Sequence, residues 1–334
     1  MVFKNINLWN ISEVEYIEST KSYRLYRLPK KCERNMLEQG RNMNHINIGV
    51  EFRFEMIDDE IQLILKAPLA GIKAFVYFGG VQAEWFQSSF IITDKETKIT
   101  IKKPKYEYIN KINGMKSSIY DTRLVRVLFD EGELHLVDVI GNVKPALELL
   151  PKKIYLSYGS SITSNSLTYV PMLGYPYLLA KKLGYDLINI GFSGSCRMEK
   201  EVADELCEKK FDIATIELGI NIIDDMDINE FYKRAYYLLD NISLSHQNSK
   251  LFVIDIYTYF NEVCGVNDKK LNQYRNVIKT ICNELRRENI IYVSAKKLLK
   301  TRKNLSADLV HPDLDGHLEI YNNLSKIIKN NINN

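Results

Sequence analysis

The feature that most constrains the fold is a change of hydrophobic pattern near Pro151. After this point, five short apolar runs alternate with amphipathic stretches long enough to form helices. The predicted strands occupy 154–156, 187–190, 213–218, 251–256 and 290–293, and the predicted helices 175–183, 199–207, 229–245, 269–288 and 316–329. Strands that alternate with helices build a parallel sheet with helices on both faces. We therefore predict an α/β domain over residues 151–334.

The first 150 residues contain short strand-like runs separated by turn signals, with few helical stretches. Polar and apolar residues alternate clearly at 50–55 and 62–66. The predicted strands occupy 46–56, 60–66, 73–78, 89–92, 98–101, 125–129 and 134–139. Short strands at regular spacing favour a β-sandwich of jelly-roll-like form. Residues 1–150 are therefore predicted to form a separate accessory domain.

Residues with the chemistry of nucleophilic catalysis follow the predicted strands of the α/β domain. Ser161 follows the first strand, Gly194 the second and Asn221 the third, and Asp308 and His311 lie three residues apart in a late loop. A serine hydroxyl becomes a nucleophile when a histidine takes its proton and a carboxylate orients that histidine. Sites in parallel sheets form beyond the carboxyl ends of the strands. We predict Ser161, His311 and Asp308 as a catalytic triad.

Each of these residues also has a structural interpretation. A serine in a Gly-Ser-Ser turn often caps a helix, and an asparagine after glycine is often a turn former. The motif order, the positions at strand ends and the Asp-x-x-His spacing agree with one another, and this agreement favours catalysis.

The four motifs together resemble those of the SGNH (GDSL-type) serine hydrolases, from Lys152 to the C-terminus. The resemblance implies a flavodoxin-like three-layer α/β/α fold and an acyl-enzyme on Ser161, with no metal and no organic cofactor. It also implies an oxyanion hole made by the backbone N–H groups of Ser161 and Gly194 and the side-chain amide of Asn221. The form Gly-Ser-Ser-Ile-Thr resembles a two-domain bacterial branch with a β-rich N-terminal domain.

Two positions depart from the family pattern. Ser160 stands where many members have the aspartate of Gly-Asp-Ser, and Ile222 where many have the aspartate of Gly-x-Asn-Asp. Neither position supplies the nucleophile, the base or an oxyanion donor. The departures therefore concern the hydrogen bonds beneath the site, where Glu217 is a candidate acceptor.

The resemblance predicts a serine esterase that hydrolyses an O-acyl ester, with a short acetyl-like acyl group, of a sugar or small metabolite. An acyltransferase with an alcohol or amine acceptor would use the same acyl-enzyme, and a catalytically degenerate carbohydrate-binding protein is a third alternative. Tyr169, Arg197 and Ile222 are predicted substrate contacts, because they lie beside the motifs.

Composition excludes several other classes of function. The net charge of +3, from 45 basic and 42 acidic residues, is not the footprint of a nucleic-acid-binding protein. The five cysteines have no metal-ligand spacing and are expected to be reduced. The chain has no apolar run of membrane-spanning length and no secretory leader, which predicts a cytoplasmic protein without a membrane partner. The sequence leaves the oligomeric state open.

Residues in the β-rich half carry weaker signals. His45 and His135 are expected at the surface, and Trp85-Phe86 is expected to be a buried pair, with a sugar-stacking platform as the alternative.

Overall fold

The computed structural model describes residues 1–69, 71–112, 119–266 and 269–332. Contacts divide the chain into two compact units. The first consists of Met1–Lys30, Asn44–Lys152 and Gly184–Asp186, and the second of Lys31–Met43, Lys153–Leu183 and the chain from Leu187 onward. The chain passes from the first unit to the second at Lys152–Lys153. Two short segments depart from this division: residues 31–43 belong to the second unit and residues 184–186 to the first. A domain boundary between residues 150 and 151 stays a prediction.

The first unit contains two antiparallel sheets. Its strands are β1 (Val2–Phe3), β2 (Ile6–Trp9), β3 (Glu13–Ile17), β4 (Ser22–Tyr26), β5 (Glu51–Met56), β6 (Glu60–Lys66), β7 (Ile72–Phe78), β8 (Val81–Gln82), β9 (Ser89–Ile92), β10 (Thr97–Lys102), β11 (Leu124–Phe129), β12 (His135–Ile140) and β13 (Val143–Lys144). One sheet has the order β1-β2-β5-β11-β7-β8, with β13 paired to β5 and β9 to β7, and the other has the order β10-β6-β12-β4-β3. A short helix, Tyr106–Ile109, precedes β11.

Apolar side chains from both sheets form one core, as expected for a sandwich. β6 and β9 have the predicted bounds. β5 begins at Glu51, later than predicted, because residues 46–50 form a turn closed by the Val50 N–H on the Asn47 carbonyl. The four strands before residue 27 were not predicted.

A buried ionic network lies on the opposite face of β5 from this core. Phe52 and Phe54 point into the core, so Arg53 between them points away from it. Arg53 is fully buried and donates two hydrogen bonds, of 2.6 and 2.8 Å, to the carboxylate of Asp186. Arg53 and Arg126 both donate to Glu51. Burial acts to raise the pKa of Glu51, but the two arginines lower it to about 2.

We expect Arg53→Met to lower the free energy of unfolding by about 3–5 kcal/mol, because it leaves the buried carboxylate of Asp186 without its cation. Urea denaturation at pH 7 measures this change. Lys102→Ala is the matched control: it breaks an exposed ion pair with Glu60 and should cost about 0.5 kcal/mol or less. Equal losses in both variants would contradict a stabilising role for the buried network.

The second unit contains a five-stranded parallel sheet. Its strands are β14 (Ile154–Gly159), β15 (Asp186–Gly191), β16 (Ile213–Glu217), β17 (Lys250–Ile254) and β18 (Ile290–Val293). Its helices are Glu38–Asn44, Tyr175–Leu183, Lys200–Glu208, Ile228–Ser245, Phe260–Val263, Lys269–Leu285 and Leu314–Ile332. The first residue of β15, Asp186, belongs by its contacts to the first unit, as does Asn44 at the end of the first helix.

The strand order β15-β14-β16-β17-β18 is the flavodoxin-like order. The chain leaves β14 to one side for β15 and returns to the other side for β16. Ligand crevices form where the order reverses in this way, beyond the carboxyl ends of the strands. The predicted α/β fold with a parallel sheet is confirmed, and the crevice lies where Ser161 follows β14 and Asn221 follows β16.

No helix within the described ranges is both long and apolar enough to cross a membrane. Within the same ranges, histidine, cysteine, aspartate and glutamate side chains do not form a group of three or more that could hold a metal ion.

Candidate active site

Ser161 lies in a tight turn directly after β14. The turn is closed by the Ser164 N–H on the Ser160 carbonyl at 3.0 Å and by the Ser166 N–H on the Ser161 carbonyl at 3.1 Å. Ser161 is largely buried, but it lines a cavity. The turn therefore fixes the backbone of Ser161 and leaves its hydroxyl accessible from one side.

His311 joins Ser161 to Asp308 through two short hydrogen bonds. Ser161 Oγ lies 2.7 Å from His311 Nε2, and His311 Nδ1 lies 2.6 Å from Asp308 Oδ2. With Nδ1–H donating to the carboxylate, Nε2 is the acceptor for the serine proton. The structure thus brings the three predicted triad residues into one hydrogen-bonded chain.

The loop around Asp308 holds this carboxylate rigidly. Its Oδ1 accepts hydrogen bonds from the Ser306 hydroxyl at 2.6 Å, the Val310 N–H at 2.8 Å and the His311 N–H at 3.0 Å. Partial burial acts to raise the pKa of Asp308, but the hydrogen bonds from Ser306 and His311 lower it well below its usual range. Leu309 takes a left-handed backbone with a φ of 56°, an unfavourable conformation for a branched side chain that the surrounding hydrogen bonds enforce.

Gly194 and Asn221 line the same cavity as Ser161. Gly194 has a φ of +67°, which glycine adopts without strain. Asn221 Oδ1 accepts the backbone N–H of Cys196 at 3.1 Å. This hydrogen bond to Cys196 holds the carbonyl end of the amide. These positions suit two of the three predicted oxyanion donors.

The cavity has a volume of about 590 Å³, and every residue of its lining belongs to the second unit. Its lining combines apolar and aromatic side chains with a similar number of polar ones. The lining consists of Gln39, Met43, Ser161, Ser166, Leu167, Ser193, Gly194, Ile220, Asn221, Ile223, Asp224, Tyr259, Phe260, Asp308, Val310 and His311.

Comparison with known proteins identifies the family. Residues 152–329 match the GDSL-like lipase/acylhydrolase family, which is more than half of the chain. The chain belongs to this family. The predicted SGNH resemblance is therefore confirmed over residues 152–329.

A multidomain esterase of Ruminococcus flavefaciens is 28% identical over 108 residues, which are 32% of this chain and 14% of the relative. Two solved structures resemble the whole chain at low identity. The salicylyl-acyltransferase SsfX3 from a tetracycline biosynthetic pathway has a TM-score of 0.79 at 13% identity and covers 98% of this chain and 94% of its own. A family two carbohydrate esterase from Cellvibrio japonicus has a TM-score of 0.65 at 11% identity, with coverages of 99% and 96%.

Two cavity residues come from a segment in which no motif was recognised from the sequence. Gln39 and Met43 lie one turn apart on the helix Glu38–Asn44, far from the four motifs in sequence. The Gln39 amide donates to the Ser193 carbonyl at 3.3 Å. Its Nε2 lies 2.1 Å from where a Cβ on Gly194 would be, so a side chain at that position would collide with Gln39.

The three predicted substrate contacts are not in the cavity lining. Ile222 is fully buried, and its neighbours Ile220 and Ile223 face the cavity instead, because residues 219–222 turn. Tyr169 is 86% exposed. Arg197 pairs with Asp225 at 2.9 Å and also donates to the Asn221 carbonyl.

His317 is buried beside the turn that follows β14 and carries Ser161. It accepts the Tyr175 N–H on Nδ1 at 3.3 Å, and its Nε2 faces the Ser166 carbonyl at 3.2 Å. The neutral tautomer with a proton on Nε2 satisfies both contacts. Burial lowers the pKa of His317 to about 4, from an ordinary value of 6.5. His317 thus packs against the turn that carries Ser161.

We expect the His317 contribution to stability to be present above pH 6.5 and to be lost as the pH falls towards 4, because the unfolded chain binds this proton first. The full loss is about 3 kcal/mol. Urea denaturation of the wild type and of His317→Gln between pH 7.5 and 4 measures it. The difference in free energy of unfolding between the wild type and His317→Gln should shrink as the pH falls. A constant difference would show that His317 is protonated equally in the folded and unfolded states.

Proposed function

We propose that the protein hydrolyses O-acyl esters through an acyl-enzyme on Ser161. The observation that carries this proposal is the hydrogen-bonded chain from Ser161 Oγ through His311 to Asp308, at the edge of a cavity that Gly194 and Asn221 also line. Such a chain converts a neutral hydroxyl into a nucleophile.

In the proposed reaction, Ser161 Oγ attacks the acyl carbonyl while His311 Nε2 takes its proton. The Ser161 N–H, the Gly194 N–H and the Asn221 amide receive the oxyanion, and each such donor contributes roughly 3 kcal/mol to transition-state stabilisation. His311 then gives its proton to the leaving alcohol. In the second half, His311 takes a proton from water as it attacks the acyl-enzyme, and then returns this proton to Ser161 Oγ as the bond to the acyl carbon breaks and the acid leaves. Asp308 fixes the imidazole tautomer and stabilises the imidazolium.

The substrate we propose is a short-chain acyl ester of a neutral sugar or small metabolite. Among the described residues, the cavity lining includes Asp224 but neither lysine nor arginine, which disfavours phosphorylated or other anionic substrates. Tyr259, Phe260 and Gln39 offer apolar rings and an amide, which together suit a sugar ring with its hydroxyls. The similarity to a carbohydrate esterase supports the same substrate class.

Hydrolysis of p-nitrophenyl esters from acetate to decanoate by the wild type and by Ser161→Ala tests this proposal. We expect a preference for the short chains and a loss of about 10³-fold or more in kcat/KM in Ser161→Ala, because the nucleophile is removed. Undiminished turnover in this variant would exclude Ser161 as the nucleophile. A preference for decanoate would exclude the short-chain assignment.

A second candidate is transfer of the acyl group to an alcohol, which the similarity to an acyltransferase over nearly the whole chain supports. Both reactions pass through the same acyl-enzyme, so they differ in what attacks it. Product analysis in the presence of glycerol or a monosaccharide separates them: hydrolysis yields free acid only, and transfer yields the new ester.

Asp308→Asn should leave the fold intact and lower kcat by about 10²–10⁴-fold, because an amide at this position favours the wrong imidazole tautomer. Steady-state kinetics with circular dichroism as the folding control measures this. Ser306→Ala is the matched control, since it removes a hydrogen bond to the same carboxylate but keeps its charge. A wild-type kcat in Asp308→Asn would remove Asp308 from the mechanism.

A further inference from the structure

The mechanism above does not use Glu217, a fully buried carboxylate at the end of β16. Its Oε2 accepts hydrogen bonds from the Ser160 N–H at 2.7 Å, the Ser160 hydroxyl at 2.7 Å and the Thr163 hydroxyl at 3.2 Å. Within the described part of the chain, Oε1 has no hydrogen-bond partner. A buried carboxylate with one bare oxygen is costly, so its presence directly beneath the nucleophile turn requires a reason.

The surrounding hydroxyls are arranged to serve an ionised carboxylate. Ser160 Oγ accepts the Ile162 N–H at 3.2 Å, so its own proton points to Glu217. Thr163 Oγ1 lies 2.8 Å from the Tyr175 hydroxyl, which donates to it while Thr163 donates to Glu217. Three donors on a single oxygen favour a negative charge there.

The Glu217 carboxylate occupies the space that a side chain at Gly159 would fill. A Cβ on Gly159 would lie 2.6 Å from Glu217 Oε2 and 2.4 Å from Thr163 Oγ1. Glycine at the end of β14 therefore lets Glu217 lie against the backbone of the residue that precedes Ser160.

Glu217 is also coupled to the catalytic histidine. Burial raises the pKa of Glu217 above its usual value, and its hydrogen bonds and the attraction of His311 oppose this rise. Attraction between two groups is reciprocal, so a charge on Glu217 favours a proton on His311. Asp224 lines the same cavity as His311. The titratable groups that pack against the pair are Tyr175, Tyr257 and Cys196 near Glu217, and Asp308 and His317 near His311.

Only one of the groups that pack against the pair carries a charge at neutral pH. Burial raises the pKa of Tyr175, Tyr257 and Cys196 well above their ordinary values, so all three are neutral. His317 is neutral too. Asp308, at the outer end of the triad, is the remaining anion.

We propose that Glu217 is a positioning residue for the esterase reaction: it holds the Ser160–Ser161 turn by three hydrogen bonds and supplies a fixed negative charge that favours the His311 imidazolium. This inference rests on the proposed Ser161–His311 chemistry. It also accounts for Ser160, at the position where many family members have an aspartate. A hydroxyl here donates to Glu217, whereas a second carboxylate would repel it.

The pH profile of kcat/KM tests the charge directly. Glu217→Gln keeps the shape but removes the charge, so the acidic limb should move to lower pH by about 0.5–1 unit, with kcat reduced about tenfold. Ser160→Ala is the matched control. It removes one hydrogen-bond donor to Glu217 and keeps the Glu217 charge, so the acidic limb of its pH profile should stay near that of the wild type. A folded Glu217→Gln protein with an unmoved limb would overturn the charge role, whatever its thermal stability.

Relocating the charge gives an independent test. Ser160→Asp alone should lose most activity, because two carboxylates then share one site. The double variant Ser160→Asp/Glu217→Gln should regain activity and return the limb towards the wild-type position. A double variant no more active than Ser160→Asp would count against the proposal.

If Glu217→Gln does not fold, Thr163→Val and Ser160→Ala combined weaken the ionised form of Glu217 without replacing it, and the limb should again move to lower pH. An unmoved acidic limb would overturn the proposal.

Ser161→Ala distinguishes a failure of the proposed esterase reaction from a failure of the Glu217 role. If Ser161→Ala retains turnover, the proposed function itself fails. If it abolishes turnover while the Glu217 variants behave as wild type, only the role of Glu217 fails.

Discussion

The constraint on which the site depends is the close approach of the nucleophile turn to the strand ends. A Cβ on Gly191, at the end of β15, would lie 2.5 Å from Ser164 Oγ and 2.6 Å from its backbone nitrogen. A side chain at Gly159, at the end of β14, would likewise collide with Thr163 and Glu217. The Phe192 N–H donates to the Gly159 carbonyl at 2.8 Å, which ties the two strand ends together. The backbone of the sheet and the buried carboxylate of Glu217 thus hold the turn that carries Ser161.

The other half of the site, Asp308 and His311, is held by hydrogen bonds within a loop. No strand carries Asp308 or His311; a short loop does, and it is stiffened by the hydrogen bonds that Asp308 accepts from its own backbone. The two halves, 150 residues apart in sequence, meet in the hydrogen bond between Ser161 and His311. Each half is thus held in place by hydrogen bonds within the protein itself, which is the preorganisation that the proposed reaction requires.

Much of the second unit could be predicted because its signals are local. A strand, its polar end residue and the next helix lie within a few dozen residues, so β18 and the helix Tyr175–Leu183 have the predicted bounds. The placements of Ser161, Asn221 and His311 follow from the same local signals. Gln39 and Met43 were missed because nothing in their own neighbourhood records a tertiary contact with residues beyond 190.

The β-rich half was predicted less well, because partners distant in sequence override local polarity there. His135 was expected at the surface and is buried, since Ser22 and Glu133 hydrogen-bond to its two ring nitrogens. Trp85 was expected in a buried pair and is 90% exposed. An alternating strand does not indicate which of its polar residues will find a buried partner.

The segment 31–43 has a consequence for how the protein comes to be assembled. Cys32 donates to the Glu201 carbonyl across 169 residues of intervening chain, and Asn35 bonds to the same glutamate. During synthesis this segment leaves the ribosome well before its packing partners, which are translated more than 160 residues later. One wall of the cavity must therefore remain unpacked until the sheet of the second unit exists. The enzyme acquires its complete cavity late in folding, as expected for contacts of long sequence separation.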